Sequence, residues 1–221
     1  MKKTAIILGA SGLTGGFVLQ KLIEDDRYDT IKLFSRSKIE GLPNKVKQFI
    51  GNLLELNQFK DDFTADEVYC CIGTTAKKTP DKTLYKKIDF GIPVAAAKLS
   101  KENNIPTFLV ISAMGADKNS TVFYNKTKGE MEHNVLMQQI KNTFVLKPSL
   151  IGGDRQESRR LEKIGLVVFK VIQPLFIGKL KKYKIVNAET IAQAMIHLAN
   201  TNHYSDVIIT SEDINKLGNN A

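Results

Sequence analysis

The chain of 221 residues is long enough to bury one full α/β core and short for two, so residues 1–221 are expected to form a single domain. Its 43% hydrophobic and 25% charged residues are ordinary for a globular protein, and with no run of about 18 uncharged apolar residues an integral membrane segment is not expected. The formal charge of +9 comes from lysines spread along the chain without a nucleic-acid-binding motif, so no nucleic-acid partner is expected, and the excess reads as a solvated surface or as a field that attracts an anionic ligand.

The first stretch carries the strongest local signal. Residues 4–8 are an apolar, β-branched run that reads as a buried strand, and residues 16–23 place Phe17, Leu19, Leu22 and Ile23 at roughly helical spacing. Between them lies Gly9-Ala10-Ser11-Gly12-Leu13-Thr14-Gly15, spaced G-x-x-G-x-x-G. Gly9 suits a sharp turn off the strand, Gly12 a close approach of backbone to a pyrophosphate, and Gly15 the packing of helix on strand; Ser11, Leu13 and Thr14 complete the cradle at the positive end of the helix. The short apolar run after Lys2-Lys3 gives no reason to expect a signal peptide.

Residues 30–36 read as a second strand, whose end bears on the cofactor. An acid there would bind a ribose 2′-hydroxyl, whereas an arginine accommodates a 2′-phosphate. The sequence is Ser35-Arg36-Ser37-Lys38, with no acid until Glu40, which favours NADP(H) over NAD(H); a solvated loop arginine is the alternative. A short third strand at residues 45–50 leads to Asn52 and Leu53, beside the expected adenine pocket, where Asn52 either meets the base edge or serves only the turn.

Residues 66–73 read as a fourth strand. Ligands of an open parallel sheet sit beyond the carboxyl ends of its strands, which puts Cys71, Ile72, Gly73 and Thr74 on the cofactor path. Cys70 and Cys71 are adjacent, cannot staple the fold and have no partners at zinc spacing, and His133, His197 and His203 are scattered, so no metal is expected and a reducing, cytoplasmic setting is. A helix over about 84–103 follows, with Pro93 as an internal irregularity.

A fifth strand at 107–111 ends at Ser112, and a helix over 123–137 puts Tyr124 and Lys128 on one face. This is the constellation that carries chemistry. A phenol has an ordinary pKa of about 10, and a nearby ammonium favours its ionised form, which suits general acid/base work. Ser112 is expected to hold the substrate oxygen, and Lys128 to reach the cofactor ribose as well. Tyr28 and Lys32 share the same spacing, but that pair straddles a loop and a strand entry and lacks helical geometry.

A sixth strand at 143–147 brings Pro148 to the nicotinamide end of the crevice. Residues 150–185 read as a small substrate-side or lid insertion. It opens with a charged run in which Arg155, Arg159 and Arg160 either bind an anion or pair with Asp154 and Glu157, and continues through an apolar stretch at 161–180. Packing over the site is the expected role of that stretch, ahead of an oligomer contact or peripheral membrane contact, since its faces are not cleanly divided. A helix through about Asn200, a closing strand at 206–210 and a fraying polar tail from Ser211 complete the chain.

These stretches together resemble atypical or extended short-chain dehydrogenases/reductases, and more closely the Tat-interacting-protein oxidoreductase group. The resemblance rests on the Gly9 to Gly15 loop, Cys71-Ile72-Gly73-Thr74-Thr75, Ser112-Ala113-Met114-Gly115-Ala116-Asp117-Lys118, Tyr124-Asn125-Lys126-Thr127-Lys128-Gly129-Glu130 and Asp154-Arg155-Gln156-Glu157-Ser158-Arg159. It implies a Rossmann-like, doubly wound, mostly parallel sheet with helices on both faces and a small C-terminal substrate lobe, bound NADP(H), and Ser112, Tyr124 and Lys128 as the catalytic set. One departure stands out: Asp89 occupies a place where many members carry asparagine, which speaks against a proton relay through that position.

The function expected is NADP(H)-dependent hydride transfer to or from a small carbonyl or alcohol, by a monomer or homodimer. The alternative, from a different class, is a catalytically silent NADP(H)-sensing regulatory binding protein.

Overall fold

In chain order the strands are β1 (Lys3–Leu8), β2 (Tyr28–Ser35), β3 (Val46–Ile50), β4 (Glu67–Cys70), β5 (Thr107–Ile111), β6 (Asn142–Lys147), the two-residue β7 (Ile151–Gly152) and β8 (Val186–Asn187), and β9 (Ile208–Thr210). The computed structural model describes residues 2–152, 185–201 and 204–219. Seven strands form one sheet in the order β3-β2-β1-β4-β5-β6-β9, parallel at every pairing, while β7 and β8 pair separately. The order reverses between β1 and β4. That reversal opens the crevice in which such sheets hold ligands.

Buried on both faces, the strands show why their sequences are continuous apolar runs. Successive side chains alternate across the sheet. Ala5 and Ile7 join one core with α1 (Leu13–Glu24), α5 (Ala188–Asn200) and α6 (Ser211–Asn219), through Val18, Leu22, Ile191, Met195 and Ile214. Ile6 and Leu8 join the other with the 3₁₀ turns of Leu53–Phe59, α3 (Ile92–Glu102) and α4 (Phe123–Leu136), through Leu53, Phe63, Leu99, Met131 and Val135. The doubly wound Rossmann-like fold expected from the sequence is therefore the fold observed.

Three elements differ from expectation. The fourth strand ends at Cys70, although the Cys71 amide still donates to the Leu8 carbonyl at 2.9 Å. The helix expected over 84–103 begins as α2 (Lys82–Lys86), widens into a π turn over Lys87–Gly91 and continues as α3. Pro93 accounts for this: it has no N–H to give the carbonyl of Asp89 and its ring crowds that turn, and the Ile92 amide bonds back five residues to the Lys87 carbonyl. Thirdly, the tail from Ser211 does not fray. It forms α6, because Ile214 and Leu217 share a face that packs on α5 and Gly218 lies so close that a Cβ there would sit 2.3 Å from the Thr190 carbonyl oxygen. Of the expected insertion at 150–185, residues 150–152 and 185 are described; Arg155, Arg159, Arg160 and the 161–180 stretch lie outside the described residues.

Candidate functional site

The crevice begins at the glycine loop. Gly9 adopts φ +86°, and a Cβ there would also lie 2.8 Å from the Cys71 carbonyl oxygen. A Cβ on Gly15 would come within 2.1 Å of the Gly9 carbonyl oxygen. Both positions therefore need glycine. Gly12 caps α1 without any side-chain cap, so the first-turn amides are left for a ligand, with Ser11 exposed beside them, Leu13 half-buried and Thr14 buried. This backbone cradle, closed to side chains and leading into a helix N-terminus that no side chain caps, fits a dinucleotide pyrophosphate.

At the end of β2, Ser35 is buried and donates to the Ser37 carbonyl at 2.7 Å, which holds the bend that exposes Arg36 and Ser37. Lys38 pairs with Glu40 at 3.2 Å, whereas Arg36 has no ion-pair partner among the described residues. Asn52 is committed to its turn: its oxygen accepts from the Leu54 amide at 3.1 Å and its amide donates to Glu55 at 3.1 Å, with Leu53 buried behind it. Of the two roles open to Asn52 in the sequence, its hydrogen bonds satisfy the turn.

Past β4, residues 71–73 run along the mouth of the crevice to Thr74. Burial pushes the Cys70 thiol up to about 12, and Cys71 upward likewise, so neither is a ready nucleophile. Thr74 fixes the next residue that matters: its amide donates to Asp89 Oδ2 at 2.8 Å. Asp89, 1% exposed, sits in the π turn, and its Oδ1 faces Lys128 Nζ at 3.1 Å. That contact is an ion pair without hydrogen-bond alignment, since Oδ1 has no hydrogen-bond partner. Lys128 is itself buried, with the Ile111 carbonyl 3.4 Å away, and a Cβ on Gly73 would stand 3.7 Å from Asp89 Oδ1 and 3.9 Å from Lys128 Nζ. Gly73, itself exposed, thus lies directly over a buried charge pair.

Tyr124 lies one helical turn before Lys128 on α4 and is 41% exposed. Its pKa is raised from 10.0 by burial, which outweighs the downward pull of Lys128, and the Asp89 charge adds a smaller push upward. Its open face lets water offset part of that desolvation. Beside it, Tyr85 is buried edge-on against Phe123, with its hydroxyl pointing to the Thr74 carbonyl at 3.4 Å. The other pair at this spacing, Tyr28 and Lys32, lies along strand β2, where four residues span about 13 Å. Tyr28 bonds Tyr69 and Asn200 while Lys32 bonds Asp62 and Thr64, so that pair is not brought together.

Ser112 is engaged elsewhere than the sequence suggests. Buried at the end of β5, its Oγ donates to Glu132 Oε1 at 2.5 Å, and Glu132 Oε2 pairs with Lys147 at 2.9 Å, which also reaches the Ala116 carbonyl. Glu132 lies one turn beyond Lys128 on the same helix, so α4 offers Tyr124, Lys128 and Glu132 in sequence along one side. Pro148, at the end of β6, is buried and accepts from the Met114 amide at 3.0 Å, tying the loop after β5 to the loop after β6. The sequence carries one signal for Glu132: an acid four residues after Lys128, with the apolar Met131 before it and Val135 three residues on. Among the described residues no group of His, Cys, Asp or Glu could hold a metal ion, and no helix is long and apolar enough to cross a membrane.

No family model matches the chain. Protein FMP52 of Candida albicans is 30% identical over 168 residues, covering 72% of this chain and 71% of its own length. Protein HTATIP2 of Rattus norvegicus is 32% identical over 161 residues, covering 71% of this chain and 66% of its own. The chain belongs to the Tat-interacting-protein-like group of atypical short-chain dehydrogenases/reductases. The family carries the fold seen in UDP-glucose 4-epimerase from Thermotoga maritima, crystallised with UDP-glucose (TM-score 0.69, 15% identity, 98% of this chain and 82% of that one). The Bordetella bronchiseptica enzyme WbmH, solved with NAD+, shares it too (TM-score 0.67, 15% identity, 92% and 74%). One expectation is overturned by these relatives. A cytoplasmic setting conflicts with family members such as FMP52 of Debaryomyces hansenii, 27% identical over 89% of this chain and 87% of its own length, and of Candida albicans, both of which are named mitochondrial. The adjacent cysteines carried that expectation, and a reduced thiol pair does not distinguish one reducing compartment from another.

Proposed function

We propose that the chain is an NADP(H)-dependent oxidoreductase that moves a hydride to or from the carbon of a small carbonyl or alcohol, with Tyr124 as the proton donor or acceptor. The observation that carries this reading is the placing of Tyr124 and Lys128, one helical turn apart on α4, at the far end of the crevice whose near end is the glycine cradle. In this reading the first-turn amides of α1 and the Gly9 to Gly15 backbone hold the pyrophosphate. The exposed Arg36 and Ser37 hold a 2′-phosphate, with Arg36 free of any ion pair among the described residues, and Ser35, its hydroxyl committed to the Ser37 carbonyl, shapes the bend that presents them. Cys71, Ile72, Gly73, Thr74 and Pro148 line the path to the reacting end, and Lys128, which lies beneath Gly73 with no side chain between them, faces a ribose hydroxyl. The bound nicotinamide supplies or accepts the hydride; the proton travels through the Tyr124 phenol.

Ser112 enters the proposal in a changed role. With its hydroxyl given to Glu132, it secures the helix that carries Tyr124 and Lys128, and the substrate oxygen is left to Tyr124. That same observation is what favours the sensing reading, since a site lacking a serine on the substrate oxygen is a weaker catalyst. The experiment that decides uses a panel of small aldehydes and ketones with NADPH. Tyr124→Phe is expected to lower turnover by about 10²- to 10⁴-fold, the usual worth of a positioned acid, with NADPH affinity within about twofold of the parent. Persistent turnover of an identified substrate removes Tyr124 from the role. Absence of turnover across the panel, with partner capture that tracks the NADPH/NADP⁺ ratio, replaces the enzyme reading by the sensor.

A further inference from the structure

The Asp89 carboxylate is the buried side-chain group without a full set of hydrogen bonds among the described residues: 1% exposed, set in a π turn, with one oxygen bonded by the Thr74 amide and the other left without a hydrogen bond beside Lys128 Nζ at 3.1 Å. Several charged or titratable groups face it from the elements around it. Lys128 and Tyr124 come from α4, Tyr85 from α2 and Cys70 from the end of β4. Only Lys128 among these is a cation. The carboxylate offsets part of the ammonium's charge as seen from Tyr124, and Lys128 is the group that would otherwise draw a proton off Tyr124 more strongly.

Resting on the reading of Tyr124 as the acid/base, we propose that Asp89 is a positioning residue that fixes Lys128 and offsets its charge at Tyr124, so that the resting site presents a protonated phenol and is set for carbonyl reduction. In that direction the carbonyl carbon gains the hydride that a reduced nicotinamide dinucleotide supplies. The carbonyl oxygen gains the Tyr124 proton as the phenolic O–H bond breaks, and the phenolate regains a proton from solvent. Alcohol oxidation demands the reverse starting state, a phenolate, which the buried carboxylate opposes.

The direction of the Tyr124 pKa agrees with the geometry, because burial outweighs the pull of Lys128 and the Asp89 charge adds to the rise. Asparagine is nearly isosteric with aspartate and keeps an acceptor for the Thr74 amide, but it carries no charge. Replacement therefore removes the offset while leaving the packing of the π turn.

The test is a pH titration of phenolate absorbance on the ligand-free protein, with Tyr124 isolated as the difference between each protein and its Tyr124→Phe partner. The wild-type midpoint is expected above the ordinary phenol value of about 10, and Asp89→Asn is expected to bring it down by about one pH unit, a tenfold change in ionisation constant. A wild-type midpoint at or below that of a free phenol overturns the proposal and needs no change at Asp89. So does an unchanged midpoint in a folded Asp89→Asn protein. If the asparagine variant does not fold, Asp89→Ser, smaller and also neutral, takes its place. Because the titration needs neither substrate nor cofactor, a midpoint that moves in a protein with no turnover leaves Asp89's role standing and removes only the oxidoreductase reading. With a substrate in hand, Asp89→Asn is expected to move the alkaline fall of reductive kcat/KM to lower pH by the same amount; a fall in kcat with no movement of the profile marks Asp89 as merely structural and overturns the proposal.

Discussion

Two carboxylates are buried to the same degree at opposite ends of β4, and they are treated in opposite ways. Glu67, at the start of the strand, is saturated: Tyr69 donates to Oε1 at 3.0 Å, Lys3 reaches Oε2 at 3.3 Å, and the network continues through Tyr28 and Asn200 of α5. Asp89, packed just past the other end, keeps one oxygen without a hydrogen bond against a lysine that has no aligned partner for it. A saturated buried acid locks elements together, here β1, β2, β4 and α5. An unsaturated one stores the capacity to bind or to polarise, at a cost in stability of about 1–3 kcal/mol. The sheet is thus bolted at its amino end and left chemically open at its carboxyl end, where ligands enter.

That contrast breaks most plainly under substitution. Glu67→Leu is expected to cost about 3 kcal/mol in denaturant unfolding, because it takes the acceptor from the Tyr69 hydroxyl and the counter-charge from Lys3, and to leave dinucleotide affinity within about twofold. Asp89→Asn leaves the buried Lys128 ammonium without its counter-charge and is expected to cost about 2–3 kcal/mol, but it alone alters Tyr124 titration; a Glu67→Leu protein whose Tyr124 titration moves as far would abolish the distinction. Next in size, Arg36→Ala is expected to weaken NADPH by tenfold or more, the worth of a charged hydrogen-bonded contact of about 1.5–3 kcal/mol, and to leave NADH little changed, as read by fluorescence titration. Equal losses would remove the 2′-phosphate argument.

The two ends also differ in their response to pH. Burial raises the Glu67 pKa above its ordinary 4.5, against the pull of Tyr28, Lys3 and Tyr69. The folded protein therefore holds that proton more tightly than the unfolded chain, and the associated stability is present below about pH 4.5 and lost as pH rises through the folded value. Unfolding midpoints measured against pH should show this decline in the wild type and not in Glu67→Gln. The smallest effect belongs to Asn52→Ala, about 1 kcal/mol of stability from a lost turn cap with unchanged NADPH affinity, which would sharpen the line between residues that shape the crevice and residues that face the ligand.

How much of this was legible in the sequence depended on whether a residue's role was local. The glycine loop was, because the turn, the approach and the helix start all lie within seven residues, and so was the pairing of Tyr124 with Lys128 on one helix. The succession of strands and helices was legible too, in apolar runs separated by amphipathic segments. What escaped was set by partners far along the chain. Ser112 reads as a substrate contact until Glu132, 20 residues on, claims its hydroxyl. Asp89 reads as a departure from a family habit until Lys128 is found beside it. The polar tail reads as frayed because Ile214 and Leu217 alone look too few to hold a helix, and it is the waiting surface of α5 that makes them enough.

Gly129 follows Lys128 immediately, and a Cβ there would come within 2.2 Å of the Lys118 amide nitrogen and 2.3 Å of the Asp117 carbonyl carbon. Helix α4 is thereby seated directly on the backbone of the loop after β5, with the Asp117 amide bonded to the Asn125 carbonyl as a second point of attachment. A residue with no side chain is in this sense the gauge block of the site. Any replacement must lift the helix, and because Tyr124, Lys128 and Glu132 all hang from it, one displacement would misalign the acid, the cation and the strut below them together. In a saturation scan scored on function, position 129 should stand among the least tolerant in the chain, although nothing at that position takes part in a reaction.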